Sequence, residues 1–160
     1  MSSLSATVEA VVKADQSAAF GHIVPIDLTS VFTGYGPLPA VTGVRNQTGP
    51  WDAAGQTRTV ELSDGSSAQE LLTGYEHPSH FSYTVSGFTG TLRFLTSRAH
   101  GEWWFNSVGS GRTHITWRYT FDARSVFLVP VLLFITKVLW RGYMRKALWL
   151  TQVQVESSTT

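Results

Sequence analysis

The sequence predicts an α+β domain in which a seven-stranded antiparallel sheet curves around a long C-terminal helix, in the order β-α-α-β6-α. Three observations predict it. Six strand-length segments follow one another between residues 41 and 122, each bounded by Gly, Pro, Asp or Ser. The alternation then stops, and from Val126 to about Val153 apolar residues recur at helical spacing. No repeat, linker or low-complexity block divides the 160 residues, so a single domain, residues 1–160 with its core over about 4–153, accounts for the chain.

Leu4 to Val12 is rich in Val, Ala and Thr with Glu9 among them, which suits a first strand with one solvated face. Asp15 offers an N-cap to Gln16–Ile23. A second short helix is expected over Pro25–Phe32, the break falling at Val24-Pro25 because proline disfavours helical backbone in the residue before it. Thr33 to Pro39 packs two glycines and two prolines around Tyr35 and predicts a turn-rich loop. The six strands are expected over Val41–Gln47, Gln56–Leu62, Ser67–Glu76, His80–Ser86, Arg98–Ser107 and Arg112–Asp122. Ser63-Asp64-Gly65-Ser66 and Gly109-Ser110-Gly111 read as hairpin turns, because such turns impose a positive φ that Gly tolerates. In the terminal helix Leu128, Val131, Leu132, Ile135, Leu139, Tyr143 and Ala147 share the apolar face. Pro130 falls in the first turns, where a missing amide costs least, and Lys137, Arg141 and Arg145 recur on the wetter side. Residues from about Glu156 to Thr160 are expected to fray.

Hydrophobic residues make up 42% and charged residues 14%, the latter well below the usual ~25%. That surplus of apolar side chains makes a lined cavity one place for them. A net charge of +1, from 12 basic and 11 acidic residues, argues against nucleic acid as a partner. The absence of cysteine removes disulfides, thiolate nucleophiles and thiolate metal sites. With an N-terminus that lacks the basic start and apolar core of a secretory signal, the expected location is the cytoplasm. Val126 to Trp140, interrupted by Pro130 and Lys137, is 15 residues long, short of the ~20 that a spanning helix needs. It is expected to be a buried helix.

If Val108 opposes Arg112 across the Gly109–Gly111 turn, Trp103 opposes Trp117, Phe105 opposes Ile115 and Gly101 opposes Tyr119. Ile115, Trp117, Tyr119 and Phe121 must share one face in any register, and Phe81, Tyr83 and Val85 form the inward set of an earlier strand. These aromatics are packed core or the wall of a pocket. A buried Tyr83 needs a hydrogen-bond partner from the protein or from a ligand. Glu70 lies within Ala68–Leu72, in a strand that otherwise reads as core. Pointing inward it would be desolvated, its pKa raised, and it would be a candidate general base; pointing outward it is a solvated carboxylate. Arg58 shares a face with Val60 and Leu62 and could pair with Glu70 or an anionic head group, although the ordinary place for an arginine is the surface.

The five histidines show no i, i+4 pair and no HExxH. His77 and His80, with Glu76, give a single local cluster that fixes too little geometry for zinc. There is no GxSxG elbow, P-loop or dinucleotide fingerprint, so neither a metal nor a cofactor is expected.

The element order, together with "GQTRTVELSDGSSAQELL", "HPSHFSYTVSG" and "GEWWFNSVGSGRTHITWRYTF" between Gly55 and Phe121, resembles the START-like, polyketide cyclase and lipid-transport superfamily usually called SRPBCC. The resemblance implies the helix-grip fold and an apolar cavity between sheet and terminal helix. In that superfamily the cavity holds lipids, sterols, hormones or polyketides. The position of Glu70 resembles that of a pocket glutamate in some hormone-binding relatives. Gly34-Tyr35-Gly36-Pro37 and Gly87-Phe88-Thr89-Gly90 fall where relatives gate the cavity mouth. The candidate ligand-binding set is therefore Tyr35, Arg58, Glu70, Phe81, Tyr83, Phe88, Trp103, Trp117, Tyr119 and Ile135, with Glu70 the candidate catalytic residue.

Three accounts of the function follow. One is binding or transport of a small hydrophobic ligand. Another is a cyclase or dehydratase in which Glu70 or a histidine moves a proton while Tyr83 or Arg58 steadies an oxyanion. The third is peripheral membrane or partner docking through Lys137, Arg141, Arg145 and Lys146, beside Trp140 and Trp149.

Overall fold

The computed structural model describes residues 2–158. Seven strands form one curved antiparallel sheet: β1 (Ser3–Val12), β2 (Val41–Arg45), β3 (Thr57–Leu62), β4 (Ser67–Glu76), β5 (His80–Ser86), β6 (Thr96–Ser107) and β7 (Thr113–Ala123). Their spatial order is β1-β7-β6-β5-β4-β3-β2. The chain therefore starts at one edge, is carried to the opposite edge by the helical crossover after β1, and returns strand by strand through hairpins until β7 pairs with β1. Short connections enforce antiparallel neighbours, as the turn residues require. Gly65 (φ +85°) closes the first predicted hairpin, with the Asp64 carboxylate accepting from the Ser66 hydroxyl and from Ser66 N at 2.9 Å; the hydroxyl first and then the backbone bond hold the Asp64 carboxyl below its usual range.

Helix α1 (Gln16–Ile23) has the expected limits, and the Asp15 side chain accepts from Ala18 N. The second expected helix does not form. Between Pro25 and Phe32 the chain makes a single 3-10 turn, Leu28–Ser30, because Asp27 caps it locally through Thr29 N and Thr29 Oγ1. Strand β2 stops at Arg45 rather than Gln47, since Asn46 turns the backbone into the left-handed region at φ +56°.

The terminal helix is composite. A 3-10 turn, Val126–Leu128, leads into α2 (Val129–Phe134), a π-helical turn over Ile135–Trp140, and α3 (Arg141–Ser158). It runs to Ser158, so the expected fraying is not seen over Glu156–Ser158: Glu156 accepts from Lys13 N at 2.9 Å and ties the helix to the end of β1. Thr159 and Thr160 lie outside the described residues. The inner side buries Leu132, Thr136, Tyr143, Met144, Ala147, Leu148, Thr151 and Val155. The wide π turn moves Ile135 and Leu139 off the fully buried line, and Val131 is exposed.

The expectation that Val126–Trp140 is buried is overturned. By length and composition Val126–Ser158 could cross a membrane, yet in the fold only 17% of its most apolar 18-residue stretch is buried. Phe127 is 89% exposed and Phe134 56%. Leu132 and Thr136 are its buried side, and the turn Ile135–Trp140 lies against β1.

Candidate functional site

The β6–β7 register is the one derived from the turn: Trp103 faces Trp117, Phe105 faces Ile115 and Gly101 faces Tyr119. Ile115, Trp117, Tyr119 and Phe121 are accordingly all buried on the inner face. Trp103 stacks on Trp117 with ring centroids 4.6 Å apart and on Phe81 at 5.7 Å, so three adjacent strands present a continuous aromatic wall. Tyr83 lies flat across β6. A Cβ at Gly101 would come within 2.2 Å of its ring, so glycine at that position is what admits the tyrosine.

Between this wall and the terminal helix is a partly enclosed, mostly apolar cavity of about 150 Å3. Phe81, Tyr83, Trp103, Trp117 and Tyr119 form its sheet side, Trp140, Tyr143 and Ala147 its helix side, and Ile23, Phe32 and Leu38 its crossover side. Phe88 and Leu92 lie at its margin in the β5–β6 connection. Of the residues proposed from sequence, Arg58, Glu70, Phe81, Tyr83, Phe88, Trp103, Trp117 and Tyr119 line the cavity.

Two do not. Ile135 is turned away by the π-helical winding, and Trp140 and Tyr143 occupy the helix side instead. Tyr35 is 38% exposed and stacks on the outside of Tyr143, its hydroxyl seated against Gly142. Its loop is fastened to α3: Tyr143 Oη accepts from Gly34 N and donates to the Pro39 carbonyl, both at 2.9 Å, and Lys146 Nζ donates to the Gly34 carbonyl at 2.8 Å. Burial pushes the Tyr143 hydroxyl above its ordinary pKa, which keeps it a donor.

The polar end of the cavity is an ion pair. Arg58 and Glu70 face each other directly across β3 and β4, and Arg58 Nε donates to Glu70 Oε1 at 2.7 Å, with side chains 8% and 12% exposed. Arg58 is thus inside, against its ordinary surface placement, and its guanidinium lies 3.9 Å above the ring of Trp51. Glu70 points inward, but not as the lone desolvated carboxylate that would make it a general base. Arg58 compensates its charge in place.

Desolvation by burial drives the Tyr83 and Tyr119 hydroxyls well above the ordinary tyrosine range, Glu70 and the neighbouring tyrosine adding to the effect on Tyr119 and Glu70 to that on Tyr83. Both are therefore neutral hydroxyls that can give a hydrogen bond to a ligand oxygen, and neither supplies a phenolate base. No histidine lines the cavity among the described residues. His80 meets Glu102 at 3.3 Å and His100 meets Asp122 at 3.4 Å on the opposite face of the sheet. His77 packs edge-on against Phe20. No three His, Asp or Glu side chains converge on a point that could hold a metal among the described residues.

Sequence reasoning did not mark Trp51, Leu92, Trp140 or Tyr143 as lining residues. Trp51 had a signal: a lone tryptophan between Pro50 and Asp52 in a polar loop is an anchor waiting for a hydrophobic seat. It is 1% exposed in a left-handed conformation (φ +62°).

The family described as polyketide cyclase / dehydrase and lipid transport has a model that matches residues 3–149. No curated protein matches by sequence. Among solved structures, truncated norcoclaurine synthase from Thalictrum flavum superposes with a TM-score of 0.74 at 10% identity, covering 96% of this chain and 94% of that one. Ara h 8.0201 superposes with a TM-score of 0.72 at 16% identity, covering 98% and 99%. Ginseng major latex-like protein 151 from Panax ginseng gives 0.68 at 10% identity, covering 95% and 97%. At these identities the likeness is one of fold.

Proposed function

The chain belongs to the polyketide cyclase / dehydrase and lipid transport family, and on that premise we propose that it binds or carries a small, largely hydrophobic molecule in the cavity between sheet and terminal helix. The observation that carries the reading is the cavity of about 150 Å3 walled by Trp103, Trp117, Tyr119 and Trp140, with one buried ion pair at its polar end. Its volume matches cavities that accept a benzene-sized molecule. A single-ring ligand with one oxygen suits it. A sterol or a phospholipid chain would need the walls to part. Apolar contact, worth about 25 cal/mol per Å2 buried, supplies the affinity, and the Tyr83 and Tyr119 hydroxyls or Arg58 orient the oxygen. The cytoplasm is the proposed location. Peripheral membrane contact fits the same reading, since an apolar cargo is collected from or delivered to an apolar phase.

The cyclase or dehydratase reading is the weaker one. The synthase among the structural relatives shows that the fold accommodates catalysis, but here Glu70 is held by Arg58 and, among the described residues, no histidine lines the cavity with it. A proton-transfer step lacks its free base.

Titration with 4-methylphenol, read through the fluorescence of Trp103 and Trp117, is expected to saturate. Ala68→Phe, which fills the cavity from β4, is expected to abolish the response while the thermal unfolding transition stays cooperative. Absence of saturable uptake by the unaltered chain would remove the proposal.

A further inference from the structure

The most apolar stretch of the terminal helix lies outside the core. Going along the helix, Phe127, Val131, Phe134 and Val138 form an exposed stripe, flanked by Val126 at 68% exposure. At 1.5 Å per residue the stripe from 127 to 138 is about 17 Å long. It continues into Arg141 and Arg145, both exposed, and then Trp149, 62% exposed. No acidic residue occurs between Asp122 and Glu156.

A second patch adjoins it. The short helical turn Thr91–Phe94 is bonded to the chain entering the terminal helix: Arg124 N donates to the Leu95 carbonyl at 3.0 Å and Arg124 Nε to the Arg93 carbonyl. Phe94, 60% exposed, carries the Arg93 guanidinium 4.4 Å above its ring. Leu92 of the same turn lines the cavity. An exposed ring and a cavity-lining side chain therefore share one four-residue turn.

Resting on the reading of the chain as a carrier of an apolar molecule, but carried by this separate surface, we propose that the stripe Phe127–Val138 with Phe94 docks on an anionic lipid bilayer. The helix would lie in the plane of the interface, its rings among the acyl chains and Arg93, Arg124, Arg141 and Arg145 at the head groups. An apolar face bordered by arginines, with a tryptophan at the border, is the chemistry of an interfacial helix. It is not a spanning one, because Leu132, Thr136, Tyr143 and Ala147 on the other side are committed to the protein interior.

Charge decides between a bilayer and a second copy of this chain. In a two-fold antiparallel helix pair centred on the stripe, Arg124 of one copy falls opposite Arg141 of the other, and in a parallel pair each arginine meets itself. Asp64 lies beside Arg93 and Phe94 with its carboxylate accepting from Ser66, but no acidic residue between Asp122 and Glu156 relieves either arrangement along the helix, whereas phosphatidylserine or phosphatidylglycerol head groups neutralise Arg124, Arg141 and Arg145. Of the residues that basic spacing picks out, Arg141, Arg145 and Trp149 lie on this surface, and Lys137, Lys146 and Trp140 do not. Lys137 Nζ donates to the Ser5 carbonyl, Lys146 Nζ to the Gly34 carbonyl, and Trp140 faces the cavity.

Co-sedimentation of the full chain with phosphatidylcholine vesicles, with and without phosphatidylserine, tests the proposal. Binding is expected to require phosphatidylserine and to fall as salt rises. Phe127→Ser with Phe134→Ser is expected to weaken it at least about tenfold, and Arg141→Glu with Arg145→Glu to abolish the phosphatidylserine dependence. Both pairs are exposed, so an unchanged unfolding midpoint will show that the fold is intact. The proposal is overturned if the unaltered chain stays in the supernatant, if the serine pair binds as well as the parent, or if the parent is a dimer that the serine pair dissolves. Uptake of 4-methylphenol without vesicles is scored separately, so an empty cavity and an undocked surface give different results.

Discussion

Strand β7 and the opening half of the terminal helix are both strongly apolar, and they meet opposite surroundings. In β7 every second residue from Thr113 to Ala123 is buried, because the strand is paired on both sides, with β1 and β6, and covered on its inner face. From Val126 to Val138 the helix buries Leu132 and Thr136 along one narrow side, the turn Ile135–Trp140 lies against β1 with Lys137 bonded to the Ser5 carbonyl, and much of the remaining apolar surface is open. The contrast shows that periodicity tells which side chains share a face and leaves open what that face meets. A strand inside a sheet has two neighbours guaranteed by hydrogen bonding, whereas a helix satisfies its own backbone and can lie against the body on one side and keep the other free.

Substitution should expose that contrast directly. Trp117→Ala empties a fully buried site beneath Trp103 and is expected to cost about 3–5 kcal/mol, read as a lower urea midpoint. Phe134→Ser removes a ring of comparable type from the helix stripe and is expected to stay within about 0.5 kcal/mol of the parent. A large loss at Phe134 would mean that the stripe is core, and the contrast would vanish.

A smaller but sharper test lies within the buried side of the comparison. Arg58→Met leaves the Glu70 carboxylate inside without its 2.7 Å partner, and a loss of about 3 kcal/mol is expected. Adding Glu70→Leu should return most of it, since the pair in its buried setting gains little over apolar packing. If the double variant is no better than the single one, Glu70 has other support, and its role in the cavity must be assigned differently.

These residues also mark how far the sequence was readable. The β6–β7 register was legible from one turn and strict alternation, because a single opposed pair sets all the others. The identity of most cavity residues followed from it. Glu70's direction was not legible, since its strand alternates weakly; the Arg58–Glu70 opposition that settles it depends on the β3–β4 register across Asp64-Gly65. Ile135 failed for a different reason. A constant 3.6 residues per turn carries Ile135 to the inner face, and the π turn at Ile135–Trp140 breaks that phase with no proline or glycine within it. Pro25–Phe32 failed because Asp27 offers the backbone a local cap that competes with a helix.

The smallest effect concerns the buried hydroxyls of Tyr83 and Tyr119 on the sheet side of the cavity. Tyr83 and Tyr119 have hydroxyl pKa values raised in the fold, first by desolvation. Below the unfolded value of about 10 both states are protonated and the shift changes nothing. Above it the unfolded chain loses protons that the folded chain retains, so the unfolded state binds fewer protons and stability must fall as pH rises. The slope is about 1.4 kcal/mol per pH unit for each tyrosine held neutral, and it continues until the folded value is reached. Urea midpoints measured between about pH 9 and 11 should therefore decline. Tyr83→Phe should remove part of that decline, because Tyr119 and Tyr143, whose hydroxyls burial also raises, remain. An equal slope in the parent and in Tyr83→Phe would place the Tyr83 hydroxyl in contact with water and open the cavity wall at β5.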